Sequence, residues 1–233
     1  MDSAANTIKI SEIFESVQGE GPSLGEPALF VRLALCNLRC EWCDTRYTWD
    51  FARYAYDQEV RELPVPDVVS SILSSKPRRV ILTGGEPLVQ TAALEGLLAQ
   101  IPAEICVEVE TNGTLSPSVA LARRIDQWNV SPKLDNSGEA LHRRRKLDVL
   151  RALLATERAY LKLVVRSDAE SDEAVALIDE LAWPRSRVCL MPEAPTPSLH
   201  AERAPQVAAM SQSLGVRFSP RLHVLMWGGE RGR

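Results

Sequence analysis

The sequence lacks any apolar run approaching the roughly 18 residues that a membrane-spanning helix requires. Residues 1–8 also lack the basic region and the apolar core of a signal peptide. We therefore expect no membrane partner and a cytoplasmic location.

An excess of positive charge is missing as well, because 27 Lys and Arg residues stand against 31 Asp and Glu residues and give a net charge of -4. The chain has no long basic arm or patch of the kind that nucleic-acid binding usually needs. The sequence therefore predicts no nucleic-acid partner.

Cysteines are few and odd in number, since the chain has five, and three of them form the CxxxCxxC motif of Cys36, Cys40 and Cys43. Such a set does not suit the disulfide framework of a secreted protein. In a reducing compartment, clustered thiols more often bind a metal or take part in chemistry. Metal binding is therefore the leading interpretation of the motif.

What the chain does have is a repeated pattern of short apolar runs, polar or Gly/Pro turns and helical stretches. This alternation is typical of βα units around a parallel sheet. A chain of 233 residues, 45% apolar and 25% charged, is long enough for one well-buried domain. We predict a single α/β domain over residues 1–233, with an irregular, aromatic-rich excursion at about residues 44–63.

Polar or glycine-rich clusters fall where predicted strands end and the next helices have not begun. They are the thiol motif and residues 83–87, 110–113, 131–133 and 191–193. The carboxyl edge of parallel strands is where α/β proteins assemble their active sites. The sequence therefore predicts that these five loops converge on one site.

The thiol spacing places three soft ligands within reach of one metal centre, and a cubane iron–sulfur cluster takes one thiolate on each iron. Three ligands leave one iron open to a small molecule. Zinc needs a fourth ligand and usually pairs two-residue spacings. An iron–sulfur cluster is favoured over zinc or unligated thiols. Cys106 and Cys189 are interpreted as small core residues, with a fourth-ligand role through space left open.

The CxxxCxxC motif, Trp42 just before its third cysteine and the later Thr83-Gly84-Gly85-Glu86-Pro87 sequence resemble the radical S-adenosylmethionine superfamily. This resemblance implies a [4Fe-4S] cluster whose open iron chelates S-adenosylmethionine. It implies reductive cleavage of the sulfonium to a 5′-deoxyadenosyl radical that abstracts a substrate hydrogen. The Gly-Gly-Glu-Pro loop would lie along the methionine amino group, with Gly85 allowing close backbone approach.

Six flanking segments are similar to the 7-carboxy-7-deazaguanine synthase family: residues 15–21, 30–32, 43–45, 110–113, 131–133 and 220–223. The similarity implies an incomplete (β/α)6 TIM-like barrel of the radical SAM type, usually a homodimer. It implies a carbon–nitrogen lyase of queuosine and other 7-deazapurine biosynthesis. The implied reaction converts 6-carboxy-5,6,7,8-tetrahydropterin to 7-carboxy-7-deazaguanine with loss of ammonia. Mg²⁺ and an electron donor such as flavodoxin belong to the same expectation.

Carried onto this sequence, the resemblance assigns the [4Fe-4S] cluster to Cys36, Cys40 and Cys43. The residues expected to contact S-adenosylmethionine are Trp42, Cys43, Asp44, Gly85, Glu86, Glu110, Ser131, Pro132, Lys133, Met191, Pro192, Glu193 and Ala194. Those expected to contact the pterin are Val17, Gln18, Gly19, Glu20, Arg32, Thr83 and His223.

Ordinary chemistry supports several of these roles. The guanidinium of Arg32 suits a planar carboxylate, which it can bind bidentately. The Gln18 amide can donate to and accept from a pterin edge. Thr45, the expected magnesium contact, offers a neutral oxygen of the kind Mg²⁺ prefers. Met191 departs from the family pattern, because some members have Gln there; methionine can pack against adenine but cannot make amide hydrogen bonds.

Simpler interpretations stand beside these. Arg32 is also suited to a structural ion pair with Glu12 or Glu20, and Glu110 to satisfying backbone donors at a strand end. His142 and His200 are expected at the solvated surface.

Two other functions also fit three clustered thiols. One is a radical-generating activase acting on a glycyl-radical protein, and the other is a non-catalytic iron–sulfur carrier or zinc scaffold. Gln18 with Arg32 argues against the activase, and the Gly-Gly-Glu-Pro loop argues against the carrier.

Overall fold

A computed structural model describes residues 6–233, which are organised by one sheet of nine strands. The strands are β1 (Thr7–Val17), β2 (Pro27–Leu33), β3 (Arg61–Pro64), β4 (Arg79–Gly84), β5 (Cys106–Thr111), β6 (Gln127–Val130), β7 (Ala159–Val165), β8 (Val188–Pro192) and β9 (Arg217–Phe218). The helices are α1 (Tyr56–Glu59), α2 (Val65–Ser74), α3 (Thr91–Leu98), α4 (Val119–Arg124), α5 (Leu141–Arg144), α6 (Leu147–Leu154), α7 (Ser171–Glu180), α8 (Pro197–Leu214) and α9 (Leu222–Trp227).

The strand order is β3-β1-β2-β4-β5-β6-β7-β8-β9. β1 is antiparallel to both β2 and β3, and each pairing from β2 onward is parallel. Across residues 6–233 the sheet runs from β3 to β9 without those edge strands pairing. The predicted incomplete barrel is therefore confirmed as an open, mostly parallel α/β sheet.

The two faces of the sheet differ in chemistry because side chains alternate along each strand. One face contributes fully buried residues such as Val31, Leu82 and Leu161 to the main core, which also contains helix residues. The alternate positions, among them Arg32 and Thr83, point to the other side of the sheet and line a cavity. A single period-two pattern therefore builds both the core and the interior surface that carries polar groups.

The connecting helices have local stop and start signals. Thr196 begins α8 by accepting a hydrogen bond from the Leu199 amide at 3.2 Å, and Gly215 ends it in the left-handed conformation at φ 66°. In α6, Leu150 and Leu153 are the buried residues, and their three-residue spacing places them on one face of the helix. No helix within residues 6–233 has the length and apolar content needed to cross a membrane.

The predicted irregular excursion is only partly irregular. It contains α1 and the edge strand β3, which pairs antiparallel with the start of β1. The strand was missed because its sequence, Arg-Glu-Leu-Pro, is short and charged and ends in proline. Edge strands tolerate both features, since one side of their backbone is free of the ladder.

Candidate active site

A cavity at the carboxyl edge of the sheet collects the predicted loops. Those that follow β2, β4, β5, β6 and β8 all contribute to its lining, so the predicted convergence of five loops is confirmed. The predicted site residues that line the cavity are Val17, Gln18, Gly19, Glu20, Arg32, Cys36, Cys40, Trp42, Cys43, Asp44, Thr45, Thr83, Gly85, Glu110, Ser131, Lys133, Met191, Pro192, Glu193 and His223. Glu86, Pro132 and Ala194 are buried but do not belong to this lining.

The three thiols of the motif share this cavity. Burial raises the pKa of Cys36 to about 12 and also raises the pKa of Cys40, and thiols must lose their protons to ligate a metal. Within residues 6–233, no three Cys, His, Asp or Glu side chains meet closely enough to share one ion. A cubane cluster carries its thiolates on separate irons and does not require such a meeting point. The donor set therefore fits a [4Fe-4S] cluster.

The other two cysteines lie elsewhere. Cys189 is buried within β8, and Cys106 begins β5, at the opposite edge of the sheet, where its sulfur accepts a hydrogen bond from Arg79 at 3.4 Å. Neither lines the cavity. Their positions do not support a fourth-ligand role.

The backbone that leads into the thiol motif explains why residues 84 and 85 are glycines. A Cβ on Gly85 would lie 1.9 Å from the carbonyl oxygen of Leu35, and one on Gly84 would lie 2.1 Å from that of Leu33. Two backbone hydrogen bonds hold the segments together, from Gly85 N to Leu33 O at 3.0 Å and from Glu86 N to Leu35 O at 2.8 Å. Gly85 lines the cavity, and its lack of a side chain is required by contact with the segment that leads into Cys36.

Glu86, a predicted cofactor contact, is buried outside the cavity lining. Its fully buried carboxylate accepts hydrogen bonds from the amides of Leu88 at 3.1 Å and Asn112 at 2.7 Å, and from the Thr111 hydroxyl at 2.8 Å. These bonds join the loop after β4 to the loop after β5. The motif alone did not indicate that the Glu86 carboxylate accepts hydrogen bonds from these groups.

Glu110 lies among the residues predicted for the pterin. Its carboxylate accepts from the Thr83 hydroxyl at 2.7 Å and from the Gln18 amide nitrogen at 3.2 Å. These three side chains come from β5, β4 and the loop after β1, and together they present donors and acceptors to one part of the cavity. The interpretation of Glu110 as a cap for backbone donors is not supported by these partners.

A buried group of charges centres on Glu20. Its carboxylate pairs with Lys162, and it accepts from Arg221 Nε at 3.1 Å. Although burial disfavours its charge, Lys162 and Arg221 hold the pKa of Glu20 far below the usual value. Burial likewise opposes the charge of Lys162, but Glu20 holds the pKa of that ammonium above its usual range. Both groups are therefore charged at neutral pH.

Arg221 extends this group. One of its terminal nitrogens donates to Asp44, another donates to the Ala194 carbonyl at 3.1 Å, and its backbone amide donates to His200 Nε2 at 3.2 Å. His200 is only 5% exposed, so the expectation of a surface position was wrong for it. His142 is exposed as expected. The polarity of its neighbours concealed the inward-facing position of His200 in α8.

His223 lies near the same carboxylate, with Nε2 at 3.8 Å from Glu20 Oε1. Burial lowers its pKa, although Glu20 acts in the opposite direction. Its ring packs against Gly19, where a Cβ would lie 2.2 Å from the imidazole Nδ1. The absence of a side chain at Gly19 therefore makes room for His223 beside the cavity.

Arg32 makes the structural pair that the sequence left open, yet only with part of its guanidinium. Its Nε donates to Glu12 Oε2 at 2.8 Å, and Glu12 also accepts from the Tyr47 hydroxyl at 2.8 Å. Within residues 6–233, neither terminal nitrogen of Arg32 has a hydrogen-bond partner. The side chain lines the cavity and is 18% exposed. The two unpartnered nitrogens are suited to a carboxylate entering the cavity.

Three further predicted residues follow β6 and β8: Ser131, Lys133 and Glu193. The Lys133 ammonium lies 5.2 Å from the Trp42 ring centroid and donates to the Ser131 hydroxyl at 3.2 Å. Glu193 is held by Arg203. These residues line the cavity beside the thiol motif.

Comparisons with known proteins agree with this geometry. Residues 32–146 match the Radical SAM superfamily model. The chain is 39% identical over 233 residues to the 7-carboxy-7-deazaguanine synthase of Pyrobaculum aerophilum, covering 99% of this chain and 100% of that protein. The chain belongs to the 7-carboxy-7-deazaguanine synthase family. The synthase of Hyperthermus butylicus is 37% identical and covers 96% of this chain and 95% of its own length.

Solved structures show the same fold as this member of the synthase family. QueE from Escherichia coli has a TM-score of 0.66 at 24% identity, with 93% of this chain and 95% of that chain covered. Streptococcus suis SuiB bound to S-adenosylmethionine has a TM-score of 0.55 at 15% identity, over 80% of this chain and 45% of that one. The predicted family resemblance is confirmed, and membership in the Radical SAM superfamily implies a [4Fe-4S] cluster and S-adenosylmethionine for this synthase-family chain.

Sequence reasoning missed Lys162, Arg221 and Asn112 among the residues that line the cavity. The first had a usable signal. In β7, Leu161 and Leu163 face the core, so Lys162 must face the same side as Arg32 and Thr83. Arg221 and Asn112 lay inside motifs that were recognised, but their neighbours were assigned to the site instead.

Proposed function

We propose that the chain is a carbon–nitrogen lyase that converts 6-carboxy-5,6,7,8-tetrahydropterin to 7-carboxy-7-deazaguanine with loss of ammonia, in queuosine and other 7-deazapurine biosynthesis. The assignment of this substrate rests mainly on Arg32, because its terminal nitrogens have no hydrogen-bond partner within residues 6–233. They face the cavity that also contains the three thiols. The names of the relatives and their near-complete coverage support the same reaction.

Cys36, Cys40 and Cys43 would hold the cluster. When bound, the cluster and S-adenosylmethionine would supply the radical chemistry that removes a hydrogen atom from the substrate. Trp42, Gly85, Ser131, Lys133 and Met191 line the cavity beside the thiols and are proposed to contact the cofactor. Asp44, Pro192 and Glu193 also line the cavity and are proposed to contact the cofactor. Val17 and Gly19 line it as well and are proposed to contact the pterin.

Recognition of the pterin is assigned to side chains on neighbouring strands, since Arg32 in β2 and Thr83 in β4 are register partners. Arg32 takes the carboxylate, and Gln18, Thr83 and Glu110 present a mixed set of donors and acceptors to the edge of the ring. A ligand with a complementary edge replaces these internal hydrogen bonds without leaving buried groups unpaired.

Charged contacts to the substrate are assigned to the group around Glu20. The Lys162 ammonium lies between Glu20 and Glu110, the latter 4.0 Å from its Nζ. Because Glu20 holds the pKa of Lys162 above the usual range, Lys162 keeps its proton and is proposed as a charged hydrogen-bond donor to the substrate. His223 is proposed as a further contact of the ring.

Magnesium, the electron donor and the assembly state are finer proposals. Thr45 Oγ1 lies 3.7 Å from Cys43 Sγ at the cavity wall and offers the hard oxygen that Mg²⁺ prefers, with substrate and water completing the shell. Reduction of the cluster requires an external one-electron donor, for which flavodoxin is proposed. A homodimer in the cytoplasm is proposed from family membership.

The alternative, an activase for a glycyl-radical protein, is not favoured. Such an enzyme needs no guanidinium with free nitrogens inside a cavity lined by Gln18, Thr83 and Glu110.

The test compares cofactor cleavage by the reconstituted enzyme in three reactions with reductant and S-adenosylmethionine: without pterin, with carboxytetrahydropterin, and with tetrahydropterin lacking the carboxylate. We expect 5′-deoxyadenosine to form fastest with the carboxylated compound. Equal cleavage in all three reactions would remove the substrate assignment, and no cleavage in any of them would remove the radical reaction.

A further inference from the structure

The third cysteine of the motif has a hydrogen-bond donor that the proposed reaction does not use. The indole nitrogen of Trp49 donates to Cys43 Sγ at 3.3 Å. Trp49 is half-buried and lines the same cavity as the thiols. An N–H group aimed at a cysteine sulfur that ligates iron acts on the cluster through that sulfur.

The backbone holds Trp49 in this position. The amide of Leu35, which immediately precedes the first cysteine, donates to the Thr48 carbonyl at 2.7 Å, and Thr48 is fully buried. The Trp49 amide donates to Arg46 O at 3.0 Å. The tryptophan is therefore tied to the same segment that carries the thiols.

A cation lies over the indole ring. The guanidinium of Arg39 is 4.6 Å from the Trp49 ring centroid, and its Nη1 donates to the carbonyls of Cys36 at 2.7 Å and Leu38 at 2.9 Å. A cation above an aromatic face is attracted to the ring electrons. By drawing on those electrons it makes the indole N–H a better donor, and it fixes the ring against the thiol loop.

The tryptophan next to the third cysteine in sequence does something else. The Trp42 indole nitrogen donates to Asn136 Oδ1 at 3.2 Å, away from the sulfurs. Trp42 and Trp49 are therefore a matched pair, both at the cavity, of which one donates to a thiol and the other to an amide oxygen.

We infer that Trp49 is a positioning residue that raises the reduction potential of the cluster by donating a hydrogen bond to Cys43. One-electron reduction by the external donor adds a negative charge to the cluster and its thiolates. A donor to a ligating sulfur stabilises the reduced state more than the oxidised state, which raises the potential. This inference depends on the cluster and not on the identity of the substrate.

The test is an EPR-monitored redox titration of the reconstituted protein without S-adenosylmethionine. Trp49→Phe keeps the ring under Arg39 and removes only the N–H group, and Trp42→Phe is the control. We expect a more negative midpoint potential for Trp49→Phe and an unchanged value for Trp42→Phe. An unchanged potential in Trp49→Phe, or an equal shift in both variants, would overturn the inference.

A second measurement reports on the bond itself. After exchange into D₂O, pulsed EPR of the reduced cluster should detect an exchangeable deuteron that Trp42→Phe retains and Trp49→Phe loses. Iron analysis accompanies both measurements. Loss of the cluster in Trp49→Phe alone would contradict a tuning role, because it would make Trp49 a requirement for holding iron. Failure of the substrate assay with this potential shift intact would remove only the proposed function.

Discussion

Arg32 and Glu12 are register partners on the antiparallel strands β2 and β1, and Arg32 Nε donates to Glu12 Oε2 at 2.8 Å. The pairing uses one edge of the guanidinium and holds the rest toward the cavity. A structural ion pair and a substrate contact are therefore compatible in one side chain, because the planar fork has separate donors for each.

The first prediction concerns that fork. Arg32→Lys keeps the charge but loses the paired terminal donors, so turnover of the carboxylated pterin at low substrate should fall by about 100-fold. The cluster absorption spectrum should stay unchanged. The exposed Arg53→Lys serves as the control and should retain activity. Loss of the cluster spectrum in Arg32→Lys would instead mark the residue as structural.

The second prediction tests the contact between the glycine pair and the thiol loop. Gly85→Ala places a Cβ against Leu35 O, so the loop must shift, at a cost of about 1–3 kcal/mol in the free energy of unfolding. Iron incorporation should drop with it. Gly229→Ala, where no atom lies within 4 Å of the added carbon, should match the unsubstituted protein. Full iron content in Gly85→Ala would show that the loop tolerates the shift.

The third prediction follows from the lowered pKa of Glu20. Its stabilising effect is fully present above the ordinary glutamate pKa of 4.5 and is lost as pH falls toward the folded-state value. Glu20→Gln should lower the free energy of unfolding by about 3 kcal/mol at neutral pH, because Lys162 loses its buried partner. Urea unfolding of the cluster-free proteins should show that the difference in the free energy of unfolding between the unsubstituted protein and Glu20→Gln narrows as the pH falls below 4.5. If this difference in the free energy of unfolding were constant with pH, Glu20 would not be held ionised.

The fourth prediction concerns magnesium. Thr45→Val removes the hydroxyl at nearly constant volume, so stimulation of turnover by Mg²⁺ should be lost, while Thr45→Ser should retain it. Iron content should be the same in both variants. Equal stimulation of Thr45→Val and the unsubstituted protein would place the ion elsewhere.

The parts of the site that the sequence predicts are those encoded locally. The thiols, residues 83–87 and residues 110–113 follow apolar strands directly, and parallel strands bring their carboxyl ends to one edge. Fold class follows from the same alternation. Neither inference requires knowledge of long-range contacts.

The residues that sequence reasoning missed or misplaced depend on partners distant in the chain. Lys162 is a single charge in an apolar strand, and it pairs with Glu20, which is 142 positions away. Glu86 lies in a recognised motif, yet its carboxylate oxygens accept hydrogen bonds from Thr111 and Asn112 at the end of the next strand. His200 has polar neighbours in sequence and a buried contact with Arg221 in space. Each case is decided by tertiary contacts that composition does not encode.

The most direct measurement of the central claim is product formation under anaerobic conditions. The reconstituted protein is given reductant, S-adenosylmethionine, Mg²⁺ and 6-carboxy-5,6,7,8-tetrahydropterin, and the products are quantified by mass spectrometry and an ammonia assay. The proposed reaction predicts 7-carboxy-7-deazaguanine and ammonia in equal amounts. Formation of 5′-deoxyadenosine without any deazaguanine would contradict it.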